Sequence, residues 1–290
     1  MLGRLGIFSL WLIHFLPFRA QAWLGDAVGW LLYFLARGRR HIATINLQLC
    51  FPNLSPAARA RLVQQNFQAF ARSIIERSIL WWGSRERIQK LIRVEGQEHF
   101  DQARGQPLIL LTAHFVGLDV GGSWLIQNVD GVSVYARQKN KFIEKILLDK
   151  RQRFGKQLLY VRQAGMRPVI KALRTGYPFY YFTDQDFSIR DGLFIPFFGI
   201  ETATLATLPR LVEMAHARIV PCITRVLPDY QGYEVRFYPP WDNYPSGDLA
   251  ADIRRMNEFI EQRVLEMPEQ YFWLHRRFKT RPEGEESFYK

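Results

Sequence analysis

The sequence predicts an α/β fold with a largely parallel central sheet flanked by helices, preceded by an N-terminal membrane-anchoring helical segment. Two patterns carry this prediction. From Leu108 onward, short apolar runs alternate with longer stretches at helical spacing, as expected when strands and crossover helices build a parallel sheet. Ahead of them, two apolar runs with interfacial aromatics occupy the first 36 residues. With 290 residues, 48% of them hydrophobic, the chain can bury one large core or two smaller ones.

At the N-terminus, Leu5 to Leu16 is apolar apart from Ser9 and His14, and Ala22 to Ala36 apart from Asp26. Pro17, Arg19 and Gln21 separate the two runs. Neither reaches the roughly 18–20 residues of a clean spanning helix. Trp11, Trp23, Trp30 and Tyr33 suit headgroup depth, and Arg37, Arg39, Arg40 and His41 would stay on the cytoplasmic side. Three readings are open here: an anchor that spans once or lies in the interface, a secretory signal, or a buried helical hairpin. Arg4 and Ala20-Gln21-Ala22 imitate a signal peptide, but a second apolar run and the arginine cluster follow the supposed cleavage site. The anchor, residues 1–40, is the preferred reading.

Ser55-Pro56 opens a helix with a cap residue and a proline at its first position. Leu62, Phe67, Phe70, Ile74 and Ile75 continue it at roughly helical spacing through Leu80, and Gly83 closes it. Its arginines, Arg59 to Arg87, form either a solvated face or a surface resting on anionic lipid. Strands are expected at Leu108–Thr112, Val132–Ala136, Leu158–Tyr160, Phe179–Thr183, Ile219–Thr224 and Tyr233–Tyr238. Helices are expected at Leu118–Gln127, Phe142–Phe154, Arg167–Arg174, Leu205–Ala217 and Leu249–Leu265. No internal repeat is evident, and the segment from Pro282 to Lys290 reads as loose.

The 39 basic against 27 acidic residues give a net charge of +12, which favours nucleic acid, anionic lipid or an acidic protein partner. No recognised nucleic-acid module accompanies the charge, so nucleic acid is not the expected partner. Cys50 and Cys222 stand far apart in apolar contexts and read as free buried thiols of a reducing compartment. The chain contains no G-x-S-x-G elbow, Walker loop or G-x-G-x-x-G fingerprint, and no Cys/His cluster with metal-ligand spacing. Neither a metal nor a cofactor is therefore expected.

The segment Thr112-Ala113-His114-Phe115-Val116-Gly117-Leu118-Asp119 sends a histidine off the end of a probable buried strand, with a carboxylate five positions on. Histidine is the usual general base near neutral pH, and a carboxylate on its second nitrogen fixes the tautomer. On one continuous helix the two side chains would lie about 140° apart. They meet more easily if His114 occupies the strand-to-helix turn and Asp119 the first helical turn. With six histidines and 27 acidic residues, the H-x4-[DE] pattern arises readily by chance, and a core histidine beside a helix-capping aspartate is the plain alternative.

Active residues of open α/β sheets collect at the carboxyl ends of strands. That rule gathers His114, Arg137 and Asp184-Gln185-Asp186, each directly after an expected strand. A basic run from Arg137 to Lys156, including Arg151, is either a solvated helix or a grip for phosphate or an acidic carrier protein. Phe194-Ile195-Pro196-Phe197-Phe198-Gly199 is too apolar for a solvent-facing loop and either enters the core or lines a lipid-sized groove. Trp273-Leu274-His275-Arg276-Arg277-Phe278-Lys279 interleaves aromatics with cations suited to a charged headgroup, or forms a basic surface segment.

Several of these segments together resemble a known family. AHFVGLD resembles the H-x4-[DE] box of the lysophospholipid-type acyltransferase superfamily. NLQLCFPNLS (Asn46–Ser55), TDQD (Thr183–Asp186), FIPFFG and EQYFWLHRRFKTRPEG (Glu269–Gly284) resemble the lipid A biosynthesis acyltransferases of the lauroyl/myristoyl type. The similarity runs from the N-terminal anchor to the last residues, making residues 41–290 the acyltransferase domain. The resemblance implies transfer of a fatty acyl chain from acyl carrier protein, as co-substrate, to a hydroxyl of Kdo-bearing lipid IVA. The site would be the cytoplasmic face of the inner membrane, against an anionic surface. It implies His114 as base and Asp119 as its orienting partner. Arg137, Arg151, Asp184, Gln185, Phe198, Gly199, His275, Arg276 and Arg277 are the expected substrate-binding residues.

The chemistry agrees with the residues. A thioester is already activated and its thiol, with pKa about 8.5, leaves readily, so no protein nucleophile is required. Backbone N–H groups after His114, or Arg137, are candidate oxyanion donors. The acyl chain would lie between the Gly117–Ile126 helix and the Phe194–Phe198 segment. Two other readings are an acyltransferase acting on a glycerol-phosphate or another glycolipid, and a non-enzymatic protein binding anionic membranes or nucleic acid.

Overall fold

A computed structural model describes residues 2–186 and 192–290. The helical N-terminal part comprises α1 (Leu2–Ile13), α2 (Phe18–Leu35), α3 (Arg37–Cys50), α4 (Pro56–Trp82) and α5 (Arg85–Gln89). There follow β1 (Ile92–Glu95), α6 (Gln97–Ala103), β2 (Leu108–Thr112), α7 (Leu118–Asn128), β3 (Gly131–Tyr135), α8 (Lys141–Arg151) and β4 (Gln157–Val161). Then come α9 (Arg167–Arg174), β5 (Phe179–Phe182), β6 (Gly192–Phe197), β7 (Ile200–Leu205), α10 (Thr207–Ala215), β8 (Arg218–Val226), β9 (Tyr233–Phe237) and α11 (Leu249–Glu266).

The main sheet has the order β1-β9-β8-β2-β5-β3-β4, parallel throughout except where β8 meets β9. All five residues of β2 are buried, as a central parallel strand with both faces covered requires. One face packs on α9, α10 and α11 through Val169, Leu173, Leu211, Ile253 and Ile260; the other packs on α6 and α7 through Phe100, Trp124 and Leu125. The α/β architecture and largely parallel sheet of the sequence analysis are therefore present. Strand β1 and the β6–β7 hairpin were absent from the expected elements.

That hairpin accounts for the apolar FIPFFG segment. Phe197 and Ile195 point into the core, and Phe198 and Gly199 form the two-residue turn with φ of 52° and 75°. Positive φ at both positions is what a type I′ turn demands. The Phe198 ring packs on Phe51, centroids 5.4 Å apart, and its N–H donates to Glu261 at 2.9 Å.

Helix α4 is the spine of the N-terminal part. Ser55 caps it, accepting from the Ala58 N–H, and Gly83 ends it as expected. Helix α2 lies along it with Gln21, Ala22, Gly25 and Gly29 buried. Ala20-Gln21-Ala22, the imitation of a cleavage site, thus sits within α2, where Gln21 donates to the Ile13 and Leu16 carbonyls and accepts from Ser78. The boundary expected at residue 40 falls inside α3. No helix among the described residues is long and apolar enough to cross a membrane. The outer faces of α1 and α2 and the turn between them nevertheless expose Leu5, Phe8, Trp11, Leu12, Phe15, Trp23, Trp30, Leu31, Phe34 and Leu35.

Glycine permits the α2–α4 approach: a Cβ at Gly25 would stand 2.6 Å from Arg72 Cα, and one at Gly29 would strike the backbone of Gln68. In a helix interior Gly→Ala ordinarily gains up to about 1 kcal/mol, whereas overpacking costs about 1–3 kcal/mol. Gly29→Ala is accordingly expected to lower the thermal unfolding midpoint, despite alanine's better helix propensity; a raised midpoint would contradict the packing.

Candidate active site

His114 stands two residues beyond the end of β2, in the turn that leads into α7. Asp184, just past the end of the neighbouring strand β5, holds it twice: its Oδ2 accepts the His114 backbone N–H at 2.9 Å and its Oδ1 meets Nδ1 at 2.7 Å. Burial alone would push the Asp184 carboxyl up. The charge of His114, its two hydrogen bonds and the more distant Arg277 win, holding the carboxyl at about 2. An ionised carboxylate only accepts hydrogen bonds, so Nδ1 carries the proton and Nε2 is left as the basic nitrogen. The imidazole also lies against Phe182, ring centroids 4.9 Å apart.

The sequence analysis assigned this orienting role to Asp119. In the structure Asp119 opens α7 and its carboxylate turns to α4, where Arg77 Nε donates to it at 2.6 Å. Burial raises the Asp119 carboxyl, but Arg77 and Arg151 together with His114 bring it below its ordinary value. Asp119 is therefore an electrostatic neighbour of the imidazole, while the bond to Nδ1 belongs to Asp184. Spacing could not have revealed Arg77, which reads as one more arginine on the face of α4.

A cavity of about 840 Å³ opens beside His114. His114, Leu118, Arg151, Phe182 and Gln185 are among the residues that line it, and Val134, Leu147, Leu148, Ile170, Leu211 and Met214 are among its apolar walls. The apolar groove was expected between α7 and the Phe194–Phe198 segment. Leu118 of α7 does contribute, but the opposite wall comes from α8, α9 and α10, because FIPFFG folds into its own hairpin. Phe198 and Gly199 are accordingly turn residues away from this cavity. Arg137 is exposed and does not line it, whereas Arg151, Arg162, Arg167 and Arg210 do. The backbone N–H groups of His114, Phe115, Val116 and Leu118 are already bonded, to Asp184, Ala113, Gln270 and Phe115 respectively.

The C-terminal block acts as a clamp on this turn. Phe272 N–H donates to the His114 carbonyl at 2.9 Å, Val116 N–H to the Gln270 carbonyl at 2.9 Å, and Phe115 bridges Tyr271. Buried amides hold the block in turn: Asn66 donates to the carbonyls of Glu269 and Tyr271, and Asn46 to those of Trp273 and His275. These amides were missed by the sequence analysis, although Asn46 begins one of the quoted segments.

The expected headgroup cations divide accordingly. Arg277 is buried, donates to the Ala203 carbonyl and Thr204 hydroxyl, and stacks over Phe197 at 5.1 Å. Arg276 is exposed and lies over Tyr289 at 5.8 Å. His275 Nε2 accepts the Asp186 N–H at 3.2 Å, and Asp186 accepts from the Thr280 N–H and hydroxyl. None of these three side chains lines the cavity; burial and fixed partners make His275 and Arg277 parts of the scaffold.

Comparison with known proteins decides what the site belongs to. The family model for bacterial lipid A biosynthesis acyltransferases matches residues 2–280. The chain belongs to that family. It is 34% identical to the lipid A biosynthesis lauroyltransferase of Escherichia coli (strain K12), over 98% of this chain and 94% of the relative. It is 30% identical to the palmitoleoyltransferase of the same organism, over 98% and 93%. Identity to the myristoyltransferase of that organism is 32%, over 88% of this chain and 80% of the relative. An acyltransferase is thus the class of enzyme to which the chain belongs.

Within this acyltransferase, His275 makes stability depend on pH. Burial, reinforced by Arg277 and outweighing Asp184, lowers its pKa from 6.5 to about 4. The folded state then binds fewer protons than the unfolded one between those values. Stability complete above pH 6.5 drains as the pH falls towards 4, by about 1.4 kcal/mol per unit. Denaturant unfolding across that window should show the slope, and His275→Gln should flatten it; an unchanged slope in the variant would assign the effect elsewhere.

Proposed function

We propose that the protein transfers a fatty acyl chain from an acyl carrier protein thioester to a hydroxyl of a lipid A precursor, Kdo-bearing lipid IVA, at the membrane surface. The observation that carries this reading is the Asp184–His114 pair at the edge of a large apolar cavity, in a chain of the lipid A acyltransferase family. The acceptor hydroxyl loses its proton to His114 Nε2 as its oxygen attacks the thioester carbonyl. Asp184 stabilises the imidazolium that forms. The tetrahedral intermediate then expels the carrier thiolate, which takes the proton back from the imidazolium. Arg151, which lines the cavity with His114, is the candidate to stabilise the oxyanion. Arg77, Arg151 and the basic face of α8 suit the phosphates of the acceptor and an acidic carrier.

With carrier thioester and lipid IVA as substrates, His114→Ala should abolish transfer by the purified protein. Asp184→Asn, which permits the wrong tautomer, should lower kcat by about 10²–10⁴-fold. Full activity of a folded His114→Ala variant would refute the mechanism, and absence of transfer by the wild type would refute the substrates.

The exposed tryptophans, leucines and phenylalanines of α1 and α2 support seating in the interface of an anionic inner-membrane leaflet, since a patch of that size in water would be a liability. Anionic vesicles should float with the wild type and release the Trp11→Asp/Trp30→Asp double variant without a change in its unfolding midpoint. Undiminished flotation of the variant would remove these residues from the interface.

A further inference from the structure

We propose that the acyl carrier protein docks on the α9 and α10 face of the sheet, opposite α8. Arg162, Arg167 and Arg210 there receive the phosphate of its prosthetic arm, at a mouth through which the thioester reaches His114. The inference rests on the acyl-transfer reading and the interfacial seating above.

The cavity passes through the sheet. Crossovers β2–α7–β3 and β3–α8–β4 step the same way across it, and β4–α9–β5 steps back. Right-handed connections therefore put α7 and α8 on one face and α9 on the other. Leu147 and Leu148 of α8 line the cavity from the first face, and Ile170 of α9 and Leu211 of α10 from the second. Both can reach it because β3 and β5 share only the pair Val132↔Phe179. The two sides differ in what lies outside them. Helix α1 rests against α8: a Cβ at Gly3 would stand 3.3 Å from Asn140 Nδ2 and Ile143 Cδ1, and Arg4 lies over the Phe142 ring at 5.4 Å. The exposed apolar row of α1 is thus on the α8 side, from which a lipid acceptor enters. A water-soluble carrier has the opposite face.

Charge on that face suits an acidic protein. Arg167, Lys171 and Arg174 form an exposed stripe along α9, beside exposed Arg162 and Arg210, and Glu213 of α10 is the acid among them. Arg162, Arg167 and Arg210 also line the cavity. Among the described residues neither Arg167 nor Arg210 has a hydrogen bond or ion pair, so both forks are free for a phosphate. The distance agrees with the donor's chemistry. Arg162 directly follows β4 and His114 stands beyond the end of β2, both at the carboxyl edge of the sheet. The order β2-β5-β3-β4 separates them by three strand spacings, about 14 Å. A phosphopantetheine arm has about thirteen bonds between sulfur and phosphorus, about 15 Å when extended. A phosphate held by the arginines therefore leaves the thioester at the imidazole, and the cations of α8 are left to the acceptor.

The test uses the full chain with acyl-4′-phosphopantetheine and acyl-pantetheine, thioesters that differ by the phosphate alone, beside the carrier thioester. The wild type should favour the phosphorylated fragment in kcat/KM by about tenfold, and Arg167→Ala/Arg210→Ala should bring that ratio near one. The double variant should also raise KM for the carrier thioester by about tenfold and leave KM for lipid IVA where it was. A binding measurement needs no turnover: the carrier with its arm should bind the wild type more tightly than the carrier without it, and the double variant should erase the difference. A fragment ratio unchanged in the variant overturns the inference. So does a rise in KM confined to lipid IVA, which would give these arginines to the acceptor's phosphates. A wild type that accepts no thioester in any form defeats the acyl-transfer reading instead, and the binding comparison then decides the docking face alone.

Discussion

One carboxylate holds the site in place. Asp184 takes both the backbone N–H and the ring Nδ1 of His114, so it fixes where the turn after β2 lies and which nitrogen is basic. Because β2 and β5 are neighbouring parallel strands, both residues arrive at the same edge of the sheet. Two bonds from one buried anion also explain why it stays ionised where burial alone would protonate it.

Everything else around the imidazole is arranged to keep that turn still. The C-terminal segment crosses beneath it as a short extended strap, and its carbonyls are taken by Asn46 from α3 and Asn66 from α4. Gln270 adds a two-way bond to the backbone of Val226 in β8. Buried amides of this kind are costly unless satisfied, and here they cross-link the helical N-terminal part to the sheet. Asp186 extends the same logic by tying the TDQD segment to Thr280. Of that segment, Asp184 serves the histidine, Gln185 faces the cavity and Asp186 serves the scaffold.

Apolar surface is divided between two uses. The inner faces of the helices and the sheet form the core, while α1 and α2 present a row of leucines and aromatics outward. The cavity beside His114 lies where the sheet is interrupted, since β3 and β5 share a single pair. His114 itself lines it, so the apolar slot and the imidazole adjoin.

Local pattern determined a good deal of this in advance. The strands from Leu108 and the helices from Leu118 to Leu265 were legible because apolar period and length distinguish them within a few residues of their ends. The cap at Ser55 and the stop at Gly83 were legible because their chemistry is local. His114 stood out because a polar side chain soon after the apolar run Leu108 to Leu111 has a strand end to occupy. Asp184, in the TDQD segment, was expected to bind substrate, because the H-x4-[DE] pattern pointed to Asp119 as the partner of His114. Only the sheet order, which sets β5 beside β2, brings Asp184 from 70 positions away to Nδ1. The same reason hid the role of Arg77, the burial of Arg277 and the split that forms the cavity: hydrophobic periodicity records which face of a segment is inward, and tertiary packing alone decides which segments then meet.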